Sequence, residues 1–313
     1  MTRADRWTAE DIPDQMGKVA LVTGGNSGLG YVTVKELARK RAHVILACRN
    51  TLKGEAARDQ ICRHAPDASI EVMKLDLASL ALIRQFAEAF KLNHDRLHIL
   101  VNNAGIMATP RQTTADGFEL QFGTNHLGHF ALTGLLLDVL VKTPNSRVVT
   151  VSSNAEPLGR INMKDLMRER FYERWLAYAQ SKLANVLFAY ELQRRLNATG
   201  ASTISLAVHP GVAATNLRKE LLTRETPLFH RIQGYVWESL RQSAEMGALS
   251  QLYAATALSV KGGEFYAPGG FLQLTGHPKK LRSSRKSYDE VLAKQLWDVS
   301  EELTGVEYEA LAQ

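Results

Sequence analysis

Tyr178 and Lys182 are the two residues whose types and spacing suggest chemistry most directly. They lie four residues apart at the start of an amphipathic stretch. On a helix, this spacing places a phenol and an ammonium group on one face. The cation is expected to lower the pKa of the phenol from its usual value of about 10. Such a pair could exchange a proton with an alcohol or a carbonyl, although the same spacing is also common on ordinary helix surfaces.

A glycine-rich turn near the N-terminus predicts a dinucleotide site. An apolar strand pattern over 18–22 precedes it, and a helical pattern over 32–39 and a second strand over 42–47 follow it. Glycines let the backbone turn tightly and approach a pyrophosphate, which the N-terminus of a helix attracts. A glycine cluster alone indicates only a loop, but the surrounding βαβ unit supports dinucleotide binding. The turn reads Thr23-Gly24-Gly25-Asn26-Ser27-Gly28-Leu29-Gly30.

Strand and helix patterns alternate along the chain. Strands are predicted near 18–23, 42–47, 70–74, 97–102, 146–151, 203–208 and 264–266. The alternation predicts an α/β fold, a Rossmann-like doubly wound parallel sheet of about seven strands with helices on both faces. The motifs fall at the carboxyl ends of these strands, where such sheets bind ligands. We expect one domain over 1–313, with a core at about 17–270, an N-terminal arm at 1–16 and a C-terminal extension at 271–313.

Composition favours a soluble enzyme in the cytoplasm. The 313 residues are 45% apolar and 22% charged, which is enough to bury a large core. The longest apolar run, near 135–141, is far shorter than the roughly 20 residues that span a bilayer. Residues 1–15 lack the apolar centre of a signal peptide.

We expect no metal site. Cys48 and Cys62 lack the spacing of metal ligands. His126 and His129 are close in sequence, but no carboxylate or cysteine set completes a site with them.

The chain is basic, with a net charge of +6 and a cluster of cations over 279–286. Such runs are usually solvated faces, and no nucleic-acid-binding module accompanies this one. We therefore expect no nucleic-acid partner. Weak attraction to anionic lipid is left open.

Taken together, the motifs resemble those of the short-chain dehydrogenase/reductase family. The glycine turn, Asn102-Asn103-Ala104-Gly105, Ser153 and the Tyr178–Lys182 pair occur in the family's order over about 17–270. Further segments resemble its retinol-dehydrogenase-like branch, namely 47–50, 125–130, 181–185 and 209–211. The resemblance implies an oxidoreductase, such as a carbonyl reductase or alcohol dehydrogenase, that uses a nicotinamide cofactor.

The resemblance also implies a catalytic tetrad. Tyr178 would exchange a proton with the substrate oxygen, while Lys182 would lower its pKa and bind the nicotinamide ribose. Ser153, favoured over Ser152, would bind the same oxygen and stabilise its developing charge. Asn125 would hold a water molecule that relays protons to Lys182.

The residue after the second strand predicts which cofactor is used. An acidic residue there binds the ribose hydroxyls of NAD, whereas the 2′-phosphate of NADP prefers an arginine. This chain has Cys48-Arg49-Asn50, without an acid. Arg49 is therefore predicted to bind the 2′-phosphate, so that NADP is preferred over NAD; the alternative is a solvated loop arginine.

The resemblance assigns the remaining cofactor contacts along the chain. Those to the phosphates come from the glycine turn, Gly24, Asn26, Ser27, Gly28, Leu29 and Gly30. Those to the adenosine side come from Asp76, Leu77, Asn103, Ala104 and Gly105. Those to the nicotinamide end come from Pro210, Gly211, Val212 and Thr215, together with Tyr178 and Lys182.

Two long segments, 154–177 and 213–242, are predicted to enclose the substrate. The second carries many apolar residues among basic ones and is typical of a lid. We expect the substrate to be an apolar, retinoid-like or lipid-like alcohol, aldehyde or ketone.

Two alternative functions are a protochlorophyllide-reductase-like enzyme, which the positions of Cys48 and Cys62 disfavour, and a dinucleotide sensor without turnover. The resemblance also leaves a homodimer open, because family members often pair through the helix that carries the tyrosine.

Overall fold

The computed structural model describes residues 6–212 and 242–311. Within them, one eight-stranded sheet has the order β3-β2-β1-β4-β5-β6-β7-β8. All neighbouring strands are parallel except β7 and β8, which are antiparallel. The strands are β1 (Val19–Thr23), β2 (His43–Cys48), β3 (Ser69–Lys74), β4 (Ile99–Asn102), β5 (Arg147–Val151), β6 (Ile204–Val208), β7 (Phe265–Pro268) and β8 (Pro278–Leu281). The predicted doubly wound α/β fold is confirmed.

Helices cover both faces of the sheet. They are α1 (Gly28–Arg39), α2 (Thr51–His64), α3 (Leu80–Asn93), α4 (Leu120–Phe122), α5 (Gly128–Leu135), α6 (Leu137–Lys142), α7 (Arg174–Ala198), α8 (Ala244–Thr256) and α9 (Glu290–Thr304). A π-helical segment, Gly123–Leu127, joins α4 to α5. Short 3-10 turns occur at Ala9–Asp11, Glu156–Leu158, Phe271–Gln273, Arg285–Tyr288 and Glu309–Leu311.

The central strands are buried on both faces, which explains their continuous apolar runs. Alternate residues point to opposite sides of the sheet. Val22 and Leu46 pack with α1, α2 and α8, whereas Leu21, Ile45 and Leu100 pack with α3, α5, α7 and α9. After β3 the chain crosses to β4, on the other side of β1, so the strand order reverses between β1 and β4. A ligand crevice is expected at the carboxyl ends of these two strands.

All seven predicted strands are present, each within two residues at either end. The eighth, β8, was not predicted, because its sequence Pro278-Lys279-Lys280-Leu281 reads as part of the basic run. Lysines and a proline are typical of an edge strand, since they discourage pairing with other chains. Lys280 forms an ion pair with Glu264 at 2.7 Å. The basic run is thus partly used within the fold.

None of the helices in the described ranges combines the length and the apolar composition that crossing a bilayer requires.

Candidate active site

The glycine turn between β1 and α1 has a backbone that requires glycine. Gly24 and Gly28 adopt φ values of +67° and +53°, which side chains disfavour. A Cβ on Gly30 would collide with the carbonyl oxygen of Gly24. Leu29 is buried beneath the turn, Asn26 is half-buried, and the exposed Ser27 caps α1 without a side-chain hydrogen bond to the helix. The turn therefore presents free polar groups at the N-terminus of a 12-residue helix, as a pyrophosphate site requires.

The loop after β4 is attached directly to this turn. The backbone N–H groups of Asn103 and Ala104 both donate to Thr23 Oγ1 at 2.9 Å. Asn103 Nδ2 donates to the carbonyl oxygen of Thr23 at 2.8 Å. A Cβ on Gly24 would lie 3.1 Å from Ala104 Cα, so the two loops are nearly in van der Waals contact. The structure thus brings together two segments that the sequence assigned to the cofactor.

Arg49 and Asp76 follow the ends of the adjacent strands β2 and β3. Arg49 is exposed, and the next residue, Asn50, caps α2 by accepting a hydrogen bond from Lys53 N at 3.0 Å. Asp76 accepts one from Ala78 N at 3.0 Å, and Leu77 is buried. All three predicted residues therefore lie at the sheet edge where the adenosine end is expected.

Tyr178 and Lys182 lie one turn apart on the long helix α7. Both are buried, with 7% and 4% of their surface exposed. Lys182 Nζ donates to the carbonyl oxygen of Val151, at the end of β5, at 3.1 Å. It lies 5.8 Å from the centroid of the Tyr178 ring. The lysine therefore links the helix to the carboxyl end of the sheet.

The pKa of each residue is dominated by burial. Burial lowers the pKa of Lys182 to about 8. Burial also raises the pKa of Tyr178, an effect that a hydrogen bond with Ser153 partly opposes. The sequence led us to expect a lowered tyrosine pKa, and in the free protein this expectation is wrong. The reason is that removing the phenolate from water raises the pKa by more than the hydrogen bond with Ser153 lowers it.

The two consecutive serines after β5 have different surroundings. Ser152 Oγ donates to the carbonyl oxygen of Lys182 at 2.7 Å and so fastens α7 to the sheet. The Ser153 hydroxyl lies beside Tyr178, donates to Asn154 Oδ1 at 3.3 Å and accepts from Ala155 N at 3.2 Å. Of the two serines, only Ser153 therefore places its hydroxyl next to the tyrosine, which favours Ser153 over Ser152.

Asn125 lies in the π-helical segment, and both polar atoms of its side chain form hydrogen bonds. Its Oδ1 accepts from Ile106 N at 2.9 Å, while Nδ2 donates to Ile106 O at 3.0 Å and to Ser181 Oγ at 2.9 Å. A Cβ on Gly105 would lie 3.2 Å from Asn125 Oδ1 and 3.3 Å from Lys182 Nζ. Asn125 and Lys182 thus approach the same glycine from two elements. The proton relay between them stays a prediction.

His129 connects Asn125 to the glycine turn, a role that sequence reasoning missed. Its Nδ1 lies 2.9 Å from the backbone oxygen of Asn125, and its Nε2 lies 2.9 Å from Thr23 Oγ1. Because a carbonyl only accepts, Nδ1 carries the proton and Nε2 accepts from the threonine hydroxyl. Burial lowers the pKa of His129 to about 4, so the ring is neutral. The one available signal was its position four residues after Asn125.

The segment after β6 reaches the same end of the sheet. Gly211 has a φ of +69°, and a Cβ there would collide with the carbonyl oxygen of Leu274. Val212 N donates to that oxygen at 2.9 Å, and Gln242 Nε2 donates to Pro210 O at 2.6 Å. The predicted residues Pro210, Gly211 and Val212 are thus held in place by neighbouring loops. Thr215 and nearly all of the predicted lid over 213–242 lie outside the described residues.

Comparison with known proteins agrees with this arrangement. The family model described as short chain dehydrogenase matches residues 18–226. This chain belongs to the short-chain dehydrogenase family. Retinol dehydrogenase 12 from Homo sapiens is 42% identical over 295 residues, which cover 94% of this chain and 88% of that protein. Polyprenol dehydrogenase from Homo sapiens is 41% identical over 299 residues, covering 94% and 87%.

A solved structure is also similar over nearly the whole chain. The crystal structure of an uncharacterized protein from Mycobacterium paratuberculosis has 44% sequence identity and a TM-score of 0.80, covering 97% of this chain and 99% of that one. Together these matches place the chain in the retinol-dehydrogenase-like branch of the short-chain dehydrogenases. The family consists of oxidoreductases that use NAD or NADP. The strained glycine turn and the free helix N-terminus fit the pyrophosphate of such a cofactor.

Proposed function

We propose that this protein is an NADP(H)-dependent oxidoreductase that interconverts an apolar alcohol and the corresponding aldehyde or ketone. One observation carries the proposal: a buried tyrosine, Tyr178, lies beside the hydroxyl of Ser153 and one helical turn from Lys182. A phenol and a hydroxyl side by side can bind one substrate oxygen from two directions. That arrangement suits proton transfer to or from the oxygen.

The chain's own groups supply the proton chemistry. The raised pKa of Tyr178 keeps its phenol protonated at neutral pH, ready to donate to a carbonyl oxygen. Ser153 stabilises the negative charge that develops on that oxygen. Lys182, with a pKa of about 8, is the neighbouring group that can release a proton near physiological pH. When bound, the nicotinamide supplies or accepts the hydride.

The preference for NADP rests on the end of β2. Arg49 is exposed there, and neither Cys48 nor Asn50 carries a negative charge that would repel a 2′-phosphate. We predict that Arg49→Asp shifts the preference towards NADH by more than tenfold, because an arginine–phosphate pair is replaced by like charges. Fluorescence titrations with NADPH and NADH measure this shift. An unchanged NADPH affinity would show that the 2′-phosphate is bound elsewhere. Lys53→Asp, in the first turn of α2, is the matched control.

The apolar substrate is proposed on two grounds. The relatives are named for retinol and polyprenol, which are apolar alcohols. In this chain, the segment between Ser153 and Tyr178 exposes large apolar side chains: Leu158 (71% exposed), Phe171 (65%), Trp175 (44%) and Leu176 (39%). Apolar groups exposed beside a site are typical of surfaces that meet an apolar ligand. The homodimer and the cytoplasmic location stay predictions from the sequence.

Turnover with a panel of apolar aldehydes, ketones and alcohols tests the proposal. We expect NADPH-dependent reduction of an apolar aldehyde at a rate well above that with NADH. NADPH binding without turnover of any compound would instead support the dinucleotide sensor. Failure to bind either NADPH or NADH would contradict both the oxidoreductase and the dinucleotide-sensor hypothesis.

A further inference from the structure

Two histidines and a glutamate meet near the outer edge of the sheet, away from the candidate active site. His43 is the first residue of β2, at the opposite end of that strand from Arg49. Glu71 lies on the edge strand β3, and His94 follows the last residue of α3. Glu71 Oε2 is 3.2 Å from His94 Nε2 and 3.6 Å from His43 Nε2. One potential ligand atom from each residue lies within 4.8 Å of the other two.

These separations match what a small tetrahedral cation requires. Zn²⁺ binds histidine nitrogen and carboxylate oxygen at about 2.0–2.2 Å, so neighbouring ligand atoms lie about 3.3–3.5 Å apart. The two measured glutamate–histidine distances, 3.2 and 3.6 Å, bracket this spacing. Only the histidine–histidine separation needs to shorten, and His43, with 34% of its side chain exposed, has room to rotate.

Neighbouring groups already orient both imidazole rings. His43 Nδ1 lies 2.7 Å from Ser69 Oγ, which leaves Nε2 directed at Glu71. The His94 ring packs against Phe90, with ring centroids 4.8 Å apart, and only 12% of its side chain is exposed. Hydrogen bonds to the second nitrogen of a ligand histidine and packing around the ring are the features that orient metal ligands in proteins.

We propose that His43, Glu71 and His94 bind a Zn²⁺ ion, which fastens β2, β3 and the end of α3 together. Two neutral imidazoles and one carboxylate form a nitrogen-rich set that suits zinc and similar divalent ions and not Mg²⁺ or Ca²⁺. Exposure of Glu71 leaves the fourth position to water. Sequence reasoning missed this site, because each ligand comes from a different element.

Zinc titration of the full chain, without a polyhistidine tag and after treatment with a chelator, tests the site. A chromophoric chelator serves as competitor. We expect one ion per chain. His94→Gln removes a ligand and should weaken zinc binding by at least about tenfold, because losing a residue that only hydrogen-bonds to a ligand already costs this much. Ser69→Ala should weaken binding by about tenfold for that reason. His64→Gln, an exposed histidine at the end of α2, is the matched control and should change nothing.

A further readout distinguishes a metal site from a plain ion pair. Zinc should raise the melting temperature of the wild type and of His64→Gln but not that of His94→Gln, because only binding to the folded state stabilises it. An ion pair without metal would produce no such zinc dependence.

The proposal is overturned if binding does not saturate at one equivalent, or if His43→Gln and His94→Gln bind as tightly as the wild type. Should either variant fail to fold, Glu71→Gln, on the half-exposed edge strand, makes the same test. Substitution with Co²⁺ adds a check of ligand type. A thiolate charge-transfer band would assign the ion to Cys48 or Cys62 and would also overturn the proposal.

Discussion

At the scale of single residues, the candidate site depends on how burial changes proton affinity. Lys182 is the clearest case, because its pKa is lowered from 10.5 to about 8 by burial. Between these values the unfolded chain binds a proton at this residue that the folded chain does not. By linkage, burial of the charged lysine destabilises the folded state most below about pH 8. This penalty shrinks as the pH rises and is gone near the unfolded pKa of 10.5.

Lys182→Met therefore should make the protein more stable at pH 7, by up to about 3 kcal/mol before the loss of the bond to Val151 is counted. The difference from the wild type should shrink as the pH rises from 8 to 10, since the wild-type lysine then becomes neutral. Urea unfolding at several pH values measures this. A difference that stays constant across the range would show that Lys182 titrates normally.

His129 makes a second residue-scale prediction. It satisfies two buried polar groups at once, the hydroxyl of Thr23 and the backbone oxygen of Asn125. His129→Phe fills the same space but removes both hydrogen bonds, and the Thr23 hydroxyl keeps only the more distant Val101 oxygen, at 3.4 Å, as an acceptor. We therefore expect a loss of about 1–3 kcal/mol in the free energy of unfolding. His129→Gln, which can donate and accept, should lose less. Equal stability of the two variants in denaturant titrations would show that the ring acts only by packing.

At the scale of elements, the segment after Ser153 is fastened to the C-terminal part of the chain. Glu156 is 2% exposed, and its carboxylate accepts from Ser284 N and from Ser284 Oγ, both at 2.6 Å. Lys286 Nζ donates to the carbonyl oxygens of Pro157 and Gly159. These bonds hold the 3-10 turn Glu156–Leu158 against α7, near Tyr178.

Glu156→Ala should destabilise the protein by about 2–3 kcal/mol, because hydrogen bonds to a charged group are lost and Ser284 is left without its partner. Hydrogen exchange should become faster in 154–159 and 284–288 together. The exposed Glu307→Ala is the matched control and should leave both segments unchanged. Faster exchange in only one segment would show that the two are not coupled through this carboxylate.

The elements themselves were largely predictable from sequence. Apolar runs bounded by turn residues identified β1 to β7, because a buried parallel strand leaves that pattern in the chain. The glycine turn and Ser153 were predicted at the carboxyl ends of these strands, and Tyr178 was predicted from its spacing to Lys182 and from the family resemblance. The raised pKa of Tyr178, the bridge made by His129 and the cluster of His43, Glu71 and His94 were not predictable. Each depends on contacts between residues distant in sequence, and β8 lacked an apolar pattern.

At the scale of the whole molecule, the C-terminal region packs against α7, the helix that carries Tyr178. Trp297 of α9 is 2% exposed, and its ring lies 5.1 Å from that of Phe130 and 5.8 Å from that of Phe188. Tyr308 OH donates to the backbone oxygen of Phe130 at 2.7 Å. Phe188 belongs to α7 and Phe130 to α5, the helices that adjoin Tyr178 and Asn125. The sheet and the C-terminal region therefore hold the site from opposite sides.

The most direct test of the account is to compare the wild type with Tyr178→Phe in two assays, NADPH binding and NADPH-dependent reduction of an apolar aldehyde. The substitution removes only the hydroxyl that carries the transferable proton. We expect turnover to fall by at least about 100-fold, since general acid catalysis contributes this much, while the dissociation constant for NADPH stays within about threefold. A variant that binds NADPH and still reduces the aldehyde at the wild-type rate would contradict the central claim.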